Sequence, residues 1–172
     1  MNFSDLPRAV ADSSYRIHVE WRYLERHIED QTLPLKTTAR LELEPWFQRG
    51  HVWTEDQQVR YVEAKLRGSV PHDIIRCNCV GWMGSYKGPY VLVDGLQRVT
   101  AARKFLAGDL RVYGHTVDEL GGIGKLPNWV EFIWTVNNLK NERDWLRWYV
   151  EINSGGTPHT DDELNKVLER IR

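Results

Sequence analysis

"YVLVDGLQRVTAARKFLAG", residues 90–108, decides the fold class. Tyr90 to Val93 are apolar and read as a buried strand that ends in Asp94. Gly95 supplies a turn, and Val99, Ala102, Phe105 and Leu106 then recur at helical spacing until Gly108 stops the run. Strand, turn and helix follow with no spare residue. Such a junction delivers a carboxylate to the carboxyl end of a strand and turns the chain at once into a helix. The helix N–H groups and dipole attract an anion there, Arg98 can offer a two-pronged charge-assisted contact, and Asp94 can hold a divalent ion or orient water. The same spacing also fits an ordinary turn in which Arg98 pairs with Asp94.

Upstream, "DIIRCNCV" (73–80) suits a strand, and the polar stretch 81–89 with its glycines suits a hairpin connection, which favours antiparallel pairing with 90–94. Thr54 with Gln57 forms a capping box that opens a helix carrying Val59, Val62 and Leu66 and ending at Gly68. Leu41 and Leu43 alternate with charged residues in a short strand closed by Pro45. Trp21, Leu24 and Ile28 mark an amphipathic helix ending near Gln31, after an irregular lead over residues 1–17. Downstream, Val130, Phe132, Trp134 and Val136 alternate as a strand, and Trp145, Trp148, Tyr149 and Ile152 define a helix that "NSGGTPHTDDEL" (153–164) interrupts. Thr160 with Glu163 makes a second capping box before a last helix whose apolar face is Leu164, Val167, Leu168 and Ile171, so residues 137–172 read as a C-terminal helical portion. The pattern is α+β.

With 172 residues, 41% hydrophobic and 27% charged, the chain suits one compact domain around a single core. Lys and Arg total 23 against 24 Asp and Glu, a net charge of -1, which excludes bulk polyelectrolyte binding of nucleic acid and confines any phosphate site to a local patch. No apolar run reaches the ~20 residues of a membrane span, and Met1 to Asp12 lacks a signal-peptide core. The expected location is the cytoplasm, with no membrane partner. Cys77 and Cys79 lie two apart in a strand, where a bridge would be strained and zinc would need ligands from elsewhere, so both read as reduced thiols. Of the 8 tryptophans, Trp21, Trp145 and Trp148 on helical stripes and Trp129 and Trp134 around an extended run read as core, while Trp46 and Trp53 bracket a loop.

That loop holds Phe47, Gln48 and Arg49, a polar and a cationic side chain among bulky aromatics; it reads either as a ligand loop or as a closed core edge with Arg49 in solvent, and His51 adds little. Asn153, Gly155, Gly156 and Thr157 form a third segment, either a close backbone approach to a ligand or a plain helix linker.

Taken in order, "PWFQRGHVWTEDQQVRYVEAKLRG" (45–68), "VLVDGLQRVTAARKFLAG" (91–108) and "INSGGTPHTDDEL" (152–164) resemble the bacterial and phage DGQQR-box family, found at the N-terminus of GmrSD-type restriction enzymes and SspE-type defence proteins. The resemblance covers roughly residues 20–170 and implies a ParB/sulfiredoxin-like fold that binds and hydrolyses a nucleoside triphosphate with Mg²⁺. By that resemblance Asp94, Gly95, Gln97 and Arg98 occupy the box, Gln48 and Arg49 the FQR element, and Asn153, Gly155 and Gly156 the late glycine element that helps close the site. Leu96 stands where the family carries its first glutamine. The roles implied are phosphate clamping by Arg98 and Arg49, metal or water binding by Asp94, and positioning of the water or γ-phosphate by Gln97. Restriction members carry a further nuclease domain, and no such His-rich segment is recognisable here, which leads to the expectation of a partner nuclease chain, DNA, or an accessory task. A ParB-like DNA nicking nuclease and a non-catalytic, nucleotide-switched DNA-binding module are the alternatives.

Overall fold

The computed structural model describes residues 15–32, 40–48, 50, 52–70, 73–82, 84, 88–154 and 167–170. Its strands are β1 (Tyr15–Glu20), β2 (Leu41–Glu42), β3 (Ile74–Cys79), β4 (Tyr90–Asp94) and β5 (Glu131–Asn137). Its helices are α1 (Leu24–Thr32), α2 (Glu55–Leu66), α3 (Leu96–Leu106) and α4 (Glu142–Ser154), with 3-10 turns at Trp21–Tyr23 and Ile123–Lys125. The strands form one five-stranded mixed sheet in the order β1-β5-β3-β4-β2. β3 and β4 pair antiparallel across their hairpin connection, as the short linker requires, while β5 runs parallel to β3 and β2 parallel to β4. The architecture is α+β.

The expected irregular lead is in part a strand. Tyr15 to Glu20 pair antiparallel with β5 along their whole length, from Tyr15 opposite Val136 to Glu20 opposite Glu131. The reason lies in the residues: Tyr15, Ile17 and Val19 alternate with Arg16, His18 and Glu20, the period of a strand with one face covered. The C-terminal helical portion correspondingly begins at Glu142 rather than at Asn137, which still belongs to β5.

β4 explains why the core is not single. Tyr90 and Leu92 point into a cluster with Ile75, Cys77, Val99, Phe105, Phe132 and Trp134, while Val91 and Val93 join a second cluster with Phe47, Trp145, Leu146, Tyr149 and Val167. Successive side chains of a strand leave opposite faces, so a strand buried on both sides reads as an unbroken apolar run. The sheet therefore separates two apolar layers, with α1, α2 and α3 contributing to the first and α4 to the second. Trp129 does not join either: it is 59% exposed, because it stands in the turn before β5 rather than in the strand. The second capping box, Thr160 with Glu163, lies outside the described residues; residues 167–170 are helical.

Cys77 and Cys79 are free and buried on the sheet face turned toward the first cluster. Burial pushes the Cys77 thiol well above its ordinary value and the Cys79 thiol up to about 11 from 9.0. A thiol raised in the folded state holds its proton to higher pH than in the unfolded chain. Its stabilising share is complete below pH 9.0 and is lost as the pH climbs through about 11. The unfolding midpoint is expected to fall across that alkaline window, less steeply in Cys79→Ala. A thiol reagent at neutral pH should label both cysteines only after unfolding, and prompt labelling of the native protein would contradict this.

Candidate functional site

The β4–α3 junction is built as the sequence indicates. Gly95 is the N-cap of α3 with φ 116°, and no side chain caps the helix there. A Cβ at this position would also stand 2.6 Å from Ile75 Cδ1 of the adjacent strand. Both the backbone angle and the close packing demand glycine. Asp94, at the end of β4, accepts hydrogen bonds on a single oxygen, Oδ2, from Arg98 Nη2 at 2.9 Å and from Arg76 Nη1 at 2.8 Å. Arg98 and Asp94 are one helical turn apart, so the ordinary pairing anticipated from spacing is present, but it is half of a three-residue arrangement.

Arg76 reaches Asp94 because of a register shift. Cys77 lies opposite Leu92 and Asn78 opposite Val91, yet between Arg76 and Cys77 the ladder slips, and Arg76 lies opposite Asp94. An unshifted ladder would have set Ile75 there. Bulges of this kind re-aim a side chain at the end of a strand pair.

Behind Arg98 lies a buried polar group that spacing did not reveal. Arg98 Nη1 is 3.8 Å from Asp73 Oδ1, and Asp73 is in turn 3.5 Å from Lys65 Nζ through Oδ2. The Tyr61 hydroxyl donates to Asp73 Oδ2, and Lys65 Nζ donates to the Val70 carbonyl at 3.1 Å. Lys65 and Asp73 are 1% and 3% exposed. Burial lowers the Lys65 ammonium from its ordinary value against the pull of Asp73, and it raises the Tyr61 phenol with Asp73 adding to the effect. The signal for Lys65 was present, since Gln58, Val62 and Lys65 are the buried stripe of α2 rather than the stripe centred on Val59 and Leu66. A lysine on a buried stripe demands a buried anion.

The FQR loop is tied to this junction by both glutamines. Gln48 Nε2 donates to the Leu92 carbonyl of β4. Gln97 Oε1 accepts from the Val52 and Trp53 N–H groups at 3.0 and 3.1 Å, and Gln97 Nε2 donates to the Gly50 carbonyl at 3.2 Å. Both ends of the Gln97 amide thus bond the backbone of the loop, and Nε2 keeps a second N–H. Trp53 packs beside Tyr61 with ring centroids 5.3 Å apart, and Phe47 sits between Trp145 and Tyr149. Trp46 is 54% exposed with the Arg170 guanidinium over its ring.

The structure thus brings Asp94, Gly95, Gln97, Arg98 and Gln48 together. Arg49, His51, Gly155, Gly156 and Thr157 lie outside the described residues. Asn153 is not in a loop: it falls within α4, where its Nδ2 donates to the Tyr149 carbonyl at 2.8 Å, one turn earlier. Among the described residues no three His, Cys, Asp or Glu side chains gather as a metal-binding group. Asp94 is the one carboxylate at the junction and could supply a metal ion with a single protein ligand there, its Oδ2 already bonded by Arg76 and Arg98. Among them, too, no helix is long and apolar enough to cross a membrane. Comparison of the chain with protein-family models, curated proteins and solved structures gives no match.

Proposed function

We propose that this protein is a cytoplasmic, ParB/sulfiredoxin-like phosphohydrolase that takes a Mg–nucleoside triphosphate complex as its substrate. In this reading it serves restriction, defence or counter-defence in a bacterium or a phage-infected cell, with DNA or a partner nuclease chain as its further contact. The observation that supports it best is the uncapped start of α3 set directly after a strand-end carboxylate that is flanked by two partly exposed guanidiniums. Backbone N–H groups, a helix dipole and arginine forks together favour a phosphate, and the reaction asks for placement and charge compensation rather than for a protein nucleophile.

In this reading Arg98 holds a phosphate oxygen, with Arg49 of the FQR loop as the second clamp and Gly155 and Gly156 closing over the bound chain. Gln48 and Gln97 keep that loop against β4 and α3. Asp94 carries the charge that receives the metal of the substrate or orients the attacking water. Mg²⁺ supplies neutralisation of the developing charge on the phosphate oxygens.

The deciding experiment incubates the protein with each nucleoside triphosphate and Mg²⁺, with plasmid in parallel. Phosphate release without nicking supports the reading, whereas nicking without nucleotide, or binding without turnover, replaces it with one of the two alternatives. Arg98→Ala is expected to weaken nucleotide binding by about ten- to hundredfold, a charge-assisted contact of ~1.5–3 kcal/mol, with a much smaller change in unfolding midpoint. Unchanged affinity would refute the assignment, and a collapsed midpoint would make Arg98 a structural partner of Asp94 and Asp73.

A further inference from the structure

We infer that Arg76, on β3, is a further phosphate-binding residue beside Arg98 and Arg49, forming with Arg98 a two-guanidinium clamp on the phosphate chain of the substrate, and that the bulge in the β3–β4 ladder delivers it. The inference rests on the reading of the site as a triphosphate site and adds a residue that neither motif nor spacing indicates.

Charge counting supports it first. Arg98 at one helical turn already neutralises Asp94, and Asp73 already faces the buried Lys65. Arg76 is held 2.8 Å from the same oxygen that Arg98 engages, so two guanidiniums share one carboxylate. Two guanidiniums on one carboxylate leave a local net positive charge, which a further anion would balance. The start of α3 beside them, with no side-chain cap, favours an anion in the same place.

Donor counting supports it next. A guanidinium carries five N–H donors, and among the described residues Arg76 makes one hydrogen bond and Arg98 one hydrogen bond plus the longer ion pair to Asp73. The two side chains are 32% and 22% exposed, so neither is sealed from solvent. Asp94 gathers both guanidiniums on one oxygen, Arg76 Nη1 at 2.8 Å and Arg98 Nη2 at 2.9 Å, so the two forks stand side by side at the end of β4. The bulge is the third support. It gives up a regular ladder step to replace Ile75 by Arg76 as the cross-strand neighbour of Asp94, which re-aims a cation to the carboxyl end of β4.

The test measures binding of inorganic tripolyphosphate and of ATP by titration calorimetry without metal. Arg76→Ala is expected to weaken both ligands by the same factor, about tenfold or more, with Arg76→Lys recovering part of the loss. Arg76→Gln, which keeps length and hydrogen bonding, should lose affinity as Arg76→Ala does while holding the native unfolding midpoint. In an Asp94→Asn background Arg76→Ala must still weaken tripolyphosphate, because the contact is with the ligand; no effect there would mean that Arg76 acts only through Asp94 and would overturn the inference. A loss for ATP but not for tripolyphosphate would overturn it as well. If Arg98→Ala abolishes binding while Arg76→Ala leaves it intact, the clamp falls and the triphosphate reading stands. If neither variant changes affinity, both fall.

Discussion

Asp94→Asn is expected to lower Mg²⁺-dependent phosphate release by ~10² or more while leaving metal-free triphosphate binding intact or tighter. The substitution keeps the size of the side chain and one acceptor oxygen, so the hydrogen bonds from Arg76 Nη1 and Arg98 Nη2 have a partner, but the charge is gone. In the phosphohydrolase reading proposed above, the substrate's metal would then lose a ligand and the attacking water an anion to orient it. The two arginines, in turn, lose the internal anion that competes with phosphate for them, and repulsion between carboxylate and phosphate is relieved. The opposite signs separate this outcome from simple misfolding, which would lower both quantities. Phosphate release at the parent rate would exclude a catalytic role for Asp94 and would favour a module that binds nucleotide without turning it over.

A comparable effect on stability is expected from Asp73→Ala. Lys65 would then be buried with the Val70 carbonyl as its hydrogen-bond partner and without its paired carboxylate, only the weaker pull of Glu131 remaining, and breaking a buried pair in this way costs about 3–5 kcal/mol. For a chain of this size the midpoint should drop on the order of 10 °C. The pH dependence has a definite sign. Burial already lowers the Lys65 ammonium from 10.5 in the folded state, against the pull of Asp73. Between the lowered value and 10.5 the unfolded chain binds the extra proton, so raising the pH through that window stabilises the fold. Removing Asp73 takes away the pull, deepens the lowering and carries the window to lower pH. The Asp73→Ala deficit should therefore shrink as the solution is made alkaline, and Lys65→Met/Asp73→Leu should recover much of it at every pH. A deficit independent of pH, and unrelieved in the double variant, would mean that Lys65 is not the group left uncompensated.

Local chemistry made the β4–Gly95–α3 junction and the Thr54–Gln57 capping box legible, because each is set by residues within one turn of each other. Both sides of the capping box are in place: the Thr54 hydroxyl accepts from the Gln57 N–H and the Gln57 side chain accepts from the Thr54 N–H. β1 was legible too, in the alternation of "YRIHVE", but the tryptophan and leucine that follow at helical spacing drew the boundary too late. Arg76 and Asp73 could not be assigned from "DIIRCNCV" alone. Their neighbours are Asp94 on another strand and Lys65 on another element, and register between strands is not written in either segment by itself. The contacts of Gln97 were hidden for a related reason, since its amide meets the backbone of Gly50, Val52 and Trp53, more than forty residues away in the chain.

The outer pairing of β1 with β5 has a consequence for how the chain comes to be made. Tyr15 leaves the ribosome early, yet its partner Val136 is synthesised only after α1, α2, α3 and the other described strands. The β3–β4 hairpin with α3 behind it can form during synthesis from neighbours in sequence, but β1 must wait unpaired, its backbone donors and acceptors open, until the last strand emerges. Contacts of such long sequence separation slow folding and lengthen the interval in which an edge can pair with the wrong chain. The charges of Arg16, His18 and Glu20, spaced along that waiting segment, are what a nascent chain needs to stay soluble until the sheet can close.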